Sequence, residues 1–324
     1  MNIQDFEIFK GNAYTPFENG GNQYLLNREP YLDIVLSDFC NCDCSFCIAD
    51  LLHDKLRLNF DIGKKKVKFA VGNMRVKEVL LLGGEPTTSI ILIPFIEFLK
   101  TLGLNKIIMT TNGLNLARNK GFREKIFSSG LTHVNVSFMS LNLEEQTRVT
   151  ESKQPLTLAD IAEISTTARK HGVQLRINNN VYRGNNDKLL YLLNFYEAVR
   201  PYVDSVKFSP LLKTDAFSVV DFKTQWVKDH ILSDEEYDEL FEQVERLFVN
   251  RNHLSIITNN ELFGFVKNSM VPLDVPLILN WNQHGQMMNK VVNEHKINNL
   301  KILPNGELSL SWNREMTQYF IKTD

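Results

Sequence analysis

Between residues 39 and 50 the sequence reads FCNCDCSFCIAD, and its four cysteines are the only ones in the chain. Cys40, Cys44 and Cys47 are spaced C-x3-C-x2-C, with Cys42 between the first two. Thiols this close together bind metal, carry redox chemistry or pack as small hydrophobes. Asn41, Asp43 and Ser45 give the stretch the polarity of a loop, which argues against packing. Zinc normally takes four protein ligands, often as two separated pairs; no second pair exists here, although His53 could supply a fourth ligand. A cubane iron–sulfur cluster held by three thiolates from one tight loop leaves one iron open to an outside ligand. Compactness favours the cluster over zinc.

The elements that must hold such a loop are visible in the hydrophobic pattern. YLDIVLS (31–37), KEVLLL (77–82), NKIIMT (105–110), THVNVSF (132–138), VQLRINNNV (173–181) and VDSVKFS (203–209) read as six strands. Helical patterns lie between them. The clearest is 158–171, with Leu158, Ile161, Ala162 and Ala168 on one face and Gly172 beyond its end. A second, 186–199, is opened by Asn186 and closed before Pro201. Strands alternating with helices give a parallel α/β sheet with right-handed crossovers, open or curled into a partial barrel. Ligands of such folds collect at the carboxyl ends of the strands, where the cysteine loop follows strand one.

Other loops at the same rim carry polar groups. After strand two comes LLGGEPTT, in which Gly83 and Gly84 let the backbone approach a ligand and Glu85 offers an acceptor for an ammonium group. Strand three ends in TTNG (110–113), strand four carries Ser137, and strand five carries Arg176, Asn178 and Asn180. Each alone is an ordinary turn or strand polar residue; their joint placement is the signal.

The chain has 324 residues, 43% of them apolar, and a formal charge of -2. That is enough for one large domain or two modest ones. Without a basic stripe, duplex nucleic acid is excluded as a partner. The start, MNIQDFEIFKGN, has no signal-peptide pattern, and no apolar run is long enough to span a membrane, so a cytoplasmic location is expected. In the reducing cytosol clustered thiols are metal ligands or redox groups more often than disulfides.

Taken together, these residues resemble the radical S-adenosylmethionine (radical SAM) enzymes. CNCDCSFC matches that family's cysteine loop, including the aromatic Phe46 before the last cysteine. GGEPT matches its glycine-rich motif, TTNG its third-strand motif, and VNVSFMSL its fourth-strand serine. LRINNNVYRGNND looks like the fifth-strand segment of the branch containing the molybdopterin-precursor cyclase and the SPASM peptide-modifying enzymes. The resemblance covers roughly residues 31 to 211 and implies a partial (β/α)6 TIM-like barrel of parallel strands with a small α+β C-terminal extension. It implies that Cys40, Cys44 and Cys47 ligate one 4Fe–4S cluster whose fourth iron is completed by the amino and carboxylate groups of SAM. Gly83, Gly84 and Glu85 would contact the methionine amino group, and Thr111 and Asn112 of the third-strand motif would also be among the SAM-binding residues. Ser137, Asn178 and Arg176 would lie near the carboxylate or ribose, and Phe46 by the adenine. The implied chemistry is reductive cleavage of SAM to a 5′-deoxyadenosyl radical that abstracts hydrogen from a substrate, with flavodoxin or ferredoxin as electron donor.

Cys42 stands where the family commonly has an apolar or basic residue. It is a spare ligand, a hydrogen-atom donor, or a small loop residue with no role; the last is favoured because the other three satisfy the motif. Residues 48 to 324 contain no cysteine, so the auxiliary clusters of SPASM and twitch relatives are absent. LKILPNGELSLSW (300–312) still resembles the strand–turn–strand that begins such a domain, with Trp312 about where a ligand would stand. This divides the chain into an N-terminal extension (1–30), a core barrel (31–211) and a C-terminal region (212–324), a metal-free remnant, with the irregular stretch 212–232 at the boundary. FENGGNQY reads as a hairpin, and 233–248 as a helix with a Ser233–Glu236 capping box and an apolar face of Tyr237, Leu240, Phe241, Val244 and Phe248. The segment 280–296, with Trp281, His284, Met287 and Met288, is a candidate substrate cover or a surface loop.

The expected reaction is modification of a peptide or small natural-product intermediate. Epimerisation, cyclisation and other redox-neutral outcomes are favoured because no second metal centre is available to accept an electron. A glycyl-radical activase is the second enzyme reading, opposed by the fifth-strand similarity and the long C-terminal region. A non-catalytic metal-binding interaction module is the alternative of another class; it leaves the glycine-rich loop and strand-four polar residues without a purpose.

Overall fold

The structure is a computed structural model that describes residues 14–47, 55–211, 222–249, 268–271, 273–280, 296–312 and 317–323. All six expected strands form: the second half of β2 (Asn22–Val35), then β3 (Glu78–Leu82), β4 (Lys106–Thr111), β5 (His133–Ser137), β6 (Gln174–Val181) and β7 (Ser205–Pro210). They pair in sequence order, every pair parallel. Connections run through helices that include α1 (Phe60–Met74), α2 (Leu92–Lys100), α3 (Leu114–Arg118), α4 (Lys120–Ser128), α5 (Leu143–Thr150), α6 (Leu158–Lys170) and α7 (Leu189–Val199). One set of alternating strand residues, among them Leu32, Ile34, Val79, Leu81, Val134 and Val136, joins Val67, Phe95 and Ile161 of the helices in the main core. The other set, including Asp33, Asn135, Ser137 and Arg176, therefore faces the inside of the curl, since successive strand side chains point to opposite faces.

Two more parallel strands come from the C-terminal region, which the six-strand pattern does not anticipate. β10 (Lys296–Ile302) lies beside β2 and β9 (Leu277–Asn280) beside β7, while β1 (Tyr14–Asn19), β8 (Asn268–Val271) and β11 (Leu308–Ser309) add antiparallel edges. The sheet does not close, so the architecture is a partial TIM-like barrel. β10 is recruited because Ile297, Leu300 and Ile302 are buried in the main core. The two expected turns are present: Gly20 and Gly21 at positive φ join β1 to β2, and Gly306 at φ 90° closes the hairpin after Pro304.

Helix ends follow local chemistry. α6 starts in a capping box between Thr157 and Asp160. α9 (Asp234–Val249) starts in the expected one, with Ser233 N–H donating to Glu236 at 2.7 Å and Glu236 N–H to Ser233 Oγ at 3.2 Å; it buries Tyr237, Leu240, Phe241 and Val244, and the Phe248 side chain lies outside the described residues. α7 departs from expectation by starting at Leu189. Asn186 does not cap it, because it sits in the left-handed region at φ 56° and donates instead to Asn179 Oδ1 at 2.9 Å. The stretch read as irregular contains α8 (Phe222–His230), which was hidden because its sequence offers few apolar residues beyond Trp226 and Val227. Residues 281–295 and His53 lie outside the described residues.

Lys301 gives the fold a pH dependence. Its ammonium is buried, donating to the carbonyls of Asn299 (2.9 Å) and Leu310 (3.5 Å), and burial lowers its pKa to about 8 despite the opposing pull of Asp33. The unfolded chain therefore binds this proton more tightly, and stability rises as pH increases from about 8 towards the ordinary value of 10.5. The shift corresponds to roughly 3 kcal/mol over that window. Thermal unfolding of wild type and Lys301→Met across this range should show a rising alkaline limb in the wild type that the variant loses.

Candidate active site

The cysteine loop leaves the carboxyl end of β2 and is gripped by the loop after β3. Gly84 N–H donates to Ser37 O at 2.7 Å and Glu85 N–H to Phe39 O at 2.8 Å. A Cβ on Gly83 would come within 2.3 Å of Ser37 O, and one on Gly84 within 2.4 Å of Phe39 O. The close approach these glycines permit in the structure is thus to the stem of the cysteine loop.

Glu85 lies at the centre of this contact and is 1% exposed. Oε1 accepts from Thr87 N–H (3.0 Å), Thr87 Oγ1 (2.5 Å) and Thr111 Oγ1 (2.6 Å), and Oε2 from Asn112 N–H (2.7 Å). Burial pushes its pKa up against the pull of these donors. The carboxylate binds the loops after β3 and β4 together. Asn112 then reaches the cysteine loop, its Nδ2 donating to Asn41 Oδ1 at 2.7 Å and to Cys42 Sγ at 3.4 Å.

On the other side the loop sits on the carboxyl end of α5. Ser45 N–H donates to Val149 O at 2.9 Å and Asp43 N–H to Thr150 O at 3.3 Å, satisfying carbonyls that a helix end leaves unpaired. The Cys44 thiol contacts Thr150 O at 4.0 Å. The four cysteines form no disulfide; Cys40 is exposed and the others half-buried. Cys42 N–H donates to Cys40 Sγ at 3.4 Å. The Cys42 hydrogen bond and burial push the Cys40 thiol up. For Cys42 a hydrogen bond with Cys40 lowers the pKa, but the Cys44 thiol and burial outweigh it and raise it to about 12. Crowded thiols beside a buried carboxyl cannot ionise together without a cation, which metal coordination supplies.

A cavity opens over this loop. It brings together most of the sequence-predicted residues: Cys40, Cys42, Cys44 and Cys47, Phe46, Gly83, Gly84, Glu85, Thr111, Asn112 and Ser137. Arg176 and Asn178 are not in its wall; they lie on β6, Asn178 in register with Ser137 and Arg176 with Asn135. Asn178 Oδ1 is buried without a hydrogen-bond partner. The sequence reading missed Gln146, a wall residue 2% exposed whose Oε1 accepts from Met139 and Ser140 N–H, both at 3.0 Å, fixing the loop after β5. Nothing in its sequence context marks it.

Among the described residues no three Cys, His, Asp or Glu side chains converge on a single-ion position. A mononuclear site needs that convergence, whereas a four-iron cluster takes one thiolate per iron. Three thiols lining one cavity fit a cluster with a ligand on its open iron.

The comparisons with known proteins agree. The Radical SAM superfamily model matches residues 34–195, half of the chain. The chain belongs to the radical SAM superfamily and is an enzyme of that class, whose cofactors are a 4Fe–4S cluster and SAM. It is 28% identical over 197 residues to the GTP 3′,8-cyclase of Tolumonas auensis, covering 59% of this chain and 55% of that protein. It is 30% identical over 174 residues to that of Aquifex aeolicus, covering 51% and 52%. The chain thus spans about half the length of the curated relatives it matches. Among solved structures, Streptococcus suis SuiB bound to precursor peptide SuiA superposes with a TM-score of 0.59 at 15% identity, over 87% of this chain and 59% of that one. anSMEcpe with bound AdoMet and the Kp18Cys peptide gives 0.56 at 13% identity, over 90% and 77%. At these identities the likeness is one of fold. No helix among the described residues is long and apolar enough to cross a membrane.

Proposed function

We propose that the protein uses SAM to abstract a hydrogen atom from a peptide or small natural-product intermediate, with a redox-neutral outcome such as epimerisation or cyclisation. The observation that carries the reading is the single cavity wall shared by the three-cysteine loop, the Gly83–Gly84–Glu85 loop and Ser137. Cys40, Cys44 and Cys47 hold the cluster, and Phe46, Gly83, Gly84, Glu85, Thr111, Asn112 and Ser137 form the SAM site, with Arg176 and Asn178 of the neighbouring strand near the carboxylate or ribose. When bound, the cluster supplies the electron that splits SAM into methionine and a 5′-deoxyadenosyl radical. The chain's own part is to fix the thiols, orient SAM through the loops tied by Glu85, and exclude water from the inside of the barrel.

The peptide reading is supported by SuiB and anSMEcpe, each a fold neighbour whose structure holds a peptide. The redox-neutral reading is supported by residues 48–324, which contain no cysteine and so supply no thiolate for a second cluster. Residues 31–211 form the catalytic barrel, and a cytoplasmic flavodoxin or ferredoxin is the electron donor. The test is anaerobic reconstitution with iron and sulfide, then dithionite and SAM, with 5′-deoxyadenosine read by mass spectrometry. Reductant-dependent 5′-deoxyadenosine is expected; a loaded protein that fails to bind SAM would overturn the reading.

A further inference from the structure

The cysteine loop has little structure of its own. Its internal hydrogen bonds include Cys47 N–H to Cys44 O at 3.0 Å and Cys42 N–H to Cys40 Sγ at 3.4 Å, few for a segment that must present three thiols at fixed spacing. Support must come from outside. The loop after β3, Asn112 and the end of α5, described above, supply part of it. A further support is α8, a helix beyond the region matched by the superfamily model.

Trp226 of α8 is 7% exposed, and its ring centroid lies 6.3 Å from that of Phe46. The indole is itself fixed: His230 stacks on it at 4.1 Å with the planes 9° apart, Tyr182 meets it edge-on at 5.3 Å, and the Arg148 guanidinium lies over it at 5.9 Å. Trp226 and Val227 form a small apolar cluster with Met139, Val149, Tyr182 and Leu211, apart from the main core, and Phe46 packs against it. One turn earlier on α8, Lys223 forms an ion pair with Asp43 in the middle of the loop. Arg183 N–H donates to His230 O at 2.7 Å, fastening the far end of the helix to the end of β6.

We propose that α8 is a brace for the cysteine loop, in which Trp226 acts as a positioning residue that sets Phe46, and through it Cys44 and Cys47, for cluster binding. The inference rests on the reading of Cys40, Cys44 and Cys47 as cluster ligands. Phe46 stands between Cys44 and Cys47 in sequence and also lines the cavity, so a displaced ring shifts two thiols and the cavity wall together. Groups that orient metal ligands without touching the metal typically change metal affinity 10- to 100-fold when removed.

The test uses the full chain, reconstituted anaerobically, as wild type, Trp226→Ala, Trp226→Phe and Lys223→Gln. Iron loss under an excess of chelator, the electron paramagnetic resonance spectrum of the reduced protein, and far-ultraviolet circular dichroism of the apoprotein are measured. Trp226→Ala is expected to lose iron at least about tenfold faster with an altered spectrum, Trp226→Phe to recover most of the difference, and the apoprotein to keep its secondary structure. If Trp226→Ala holds iron as tightly as wild type with an unchanged spectrum, the brace is overturned while the cluster reading stands. A wild type that takes up no cluster defeats the cluster reading first, and the brace with it. Should Trp226→Ala fail to fold, Lys223→Gln decides: faster iron loss than wild type supports the brace, and an unchanged rate overturns it.

Discussion

Replacing Cys44 by alanine should leave a folded protein that assembles no stable cluster and produces 5′-deoxyadenosine only at the rate seen without protein. The fold should survive because Cys44 is half-buried and its thiol's contacts, the 4.0 Å approach to Thr150 O and the neighbouring Cys42 thiol, are weak, while Ser45 and Asp43 keep their bonds to the end of α5. The chemistry should not survive, since two thiolates from the motif leave two irons open where function needs one. Cys42→Ala is the informative contrast. Its thiol sits among the others, in hydrogen-bond contact with Asn112 and raised to about 12, yet the remaining C-x3-C-x2-C set is complete without it. We expect Cys42→Ala to keep its iron and its SAM cleavage. Retained SAM cleavage with loss of substrate turnover alone would instead make Cys42 the hydrogen-atom donor. Iron and sulfide content, 5′-deoxyadenosine yield and thermal unfolding of the two variants separate these roles.

What could be read from the sequence follows from how each feature encodes itself. The central strands are buried on the helix side and carry apolar runs such as Val79 to Leu82, so five of the six were legible to within a residue or two, whereas β2 begins at Asn22, nine residues before the expected start at Tyr31. The cysteine loop was legible because coordination geometry fixes spacing in the chain. Contacts between distant segments leave no such trace. Nothing in LKILPNGELSLSW says that its first strand will lie parallel to β2, because a lone apolar strand fits any open edge. Trp226 is a buried aromatic residue in a helix of mostly polar sequence, and its partner Phe46 is 180 residues earlier. Glu85 reads as a ligand for a cation, yet its carboxylate already accepts four hydrogen bonds from Thr87, Thr111 and Asn112.

Gly84 shows how far such hidden contacts constrain the site. Gly84→Ala would place a methyl group 2.4 Å from Phe39 O and 2.6 Å from both Asp38 O and Phe39 C. These are backbone atoms, so no side chain can swing away, and the hydrogen bonds from Gly84 to Ser37 and from Glu85 to Phe39 pull the two segments together where the methyl pushes them apart. The alternatives are to break those bonds or to shift the stem that carries Cys40. Overpacking of this kind costs about 1–3 kcal/mol, and the displaced stem should also reduce cluster retention and SAM cleavage. Gly72 in α1 provides the control, because a Cβ there meets nothing within 4 Å and alanine is the better helix former. Gly72→Ala should gain about 0.5–1 kcal/mol with iron content and 5′-deoxyadenosine yield unchanged. Urea unfolding of both variants, with iron analysis on the same preparations, gives opposite signs if the stem contact is what the glycine serves. A Gly84→Ala protein with wild-type stability and full iron would show that the two loops slide apart freely and that the site tolerates their separation.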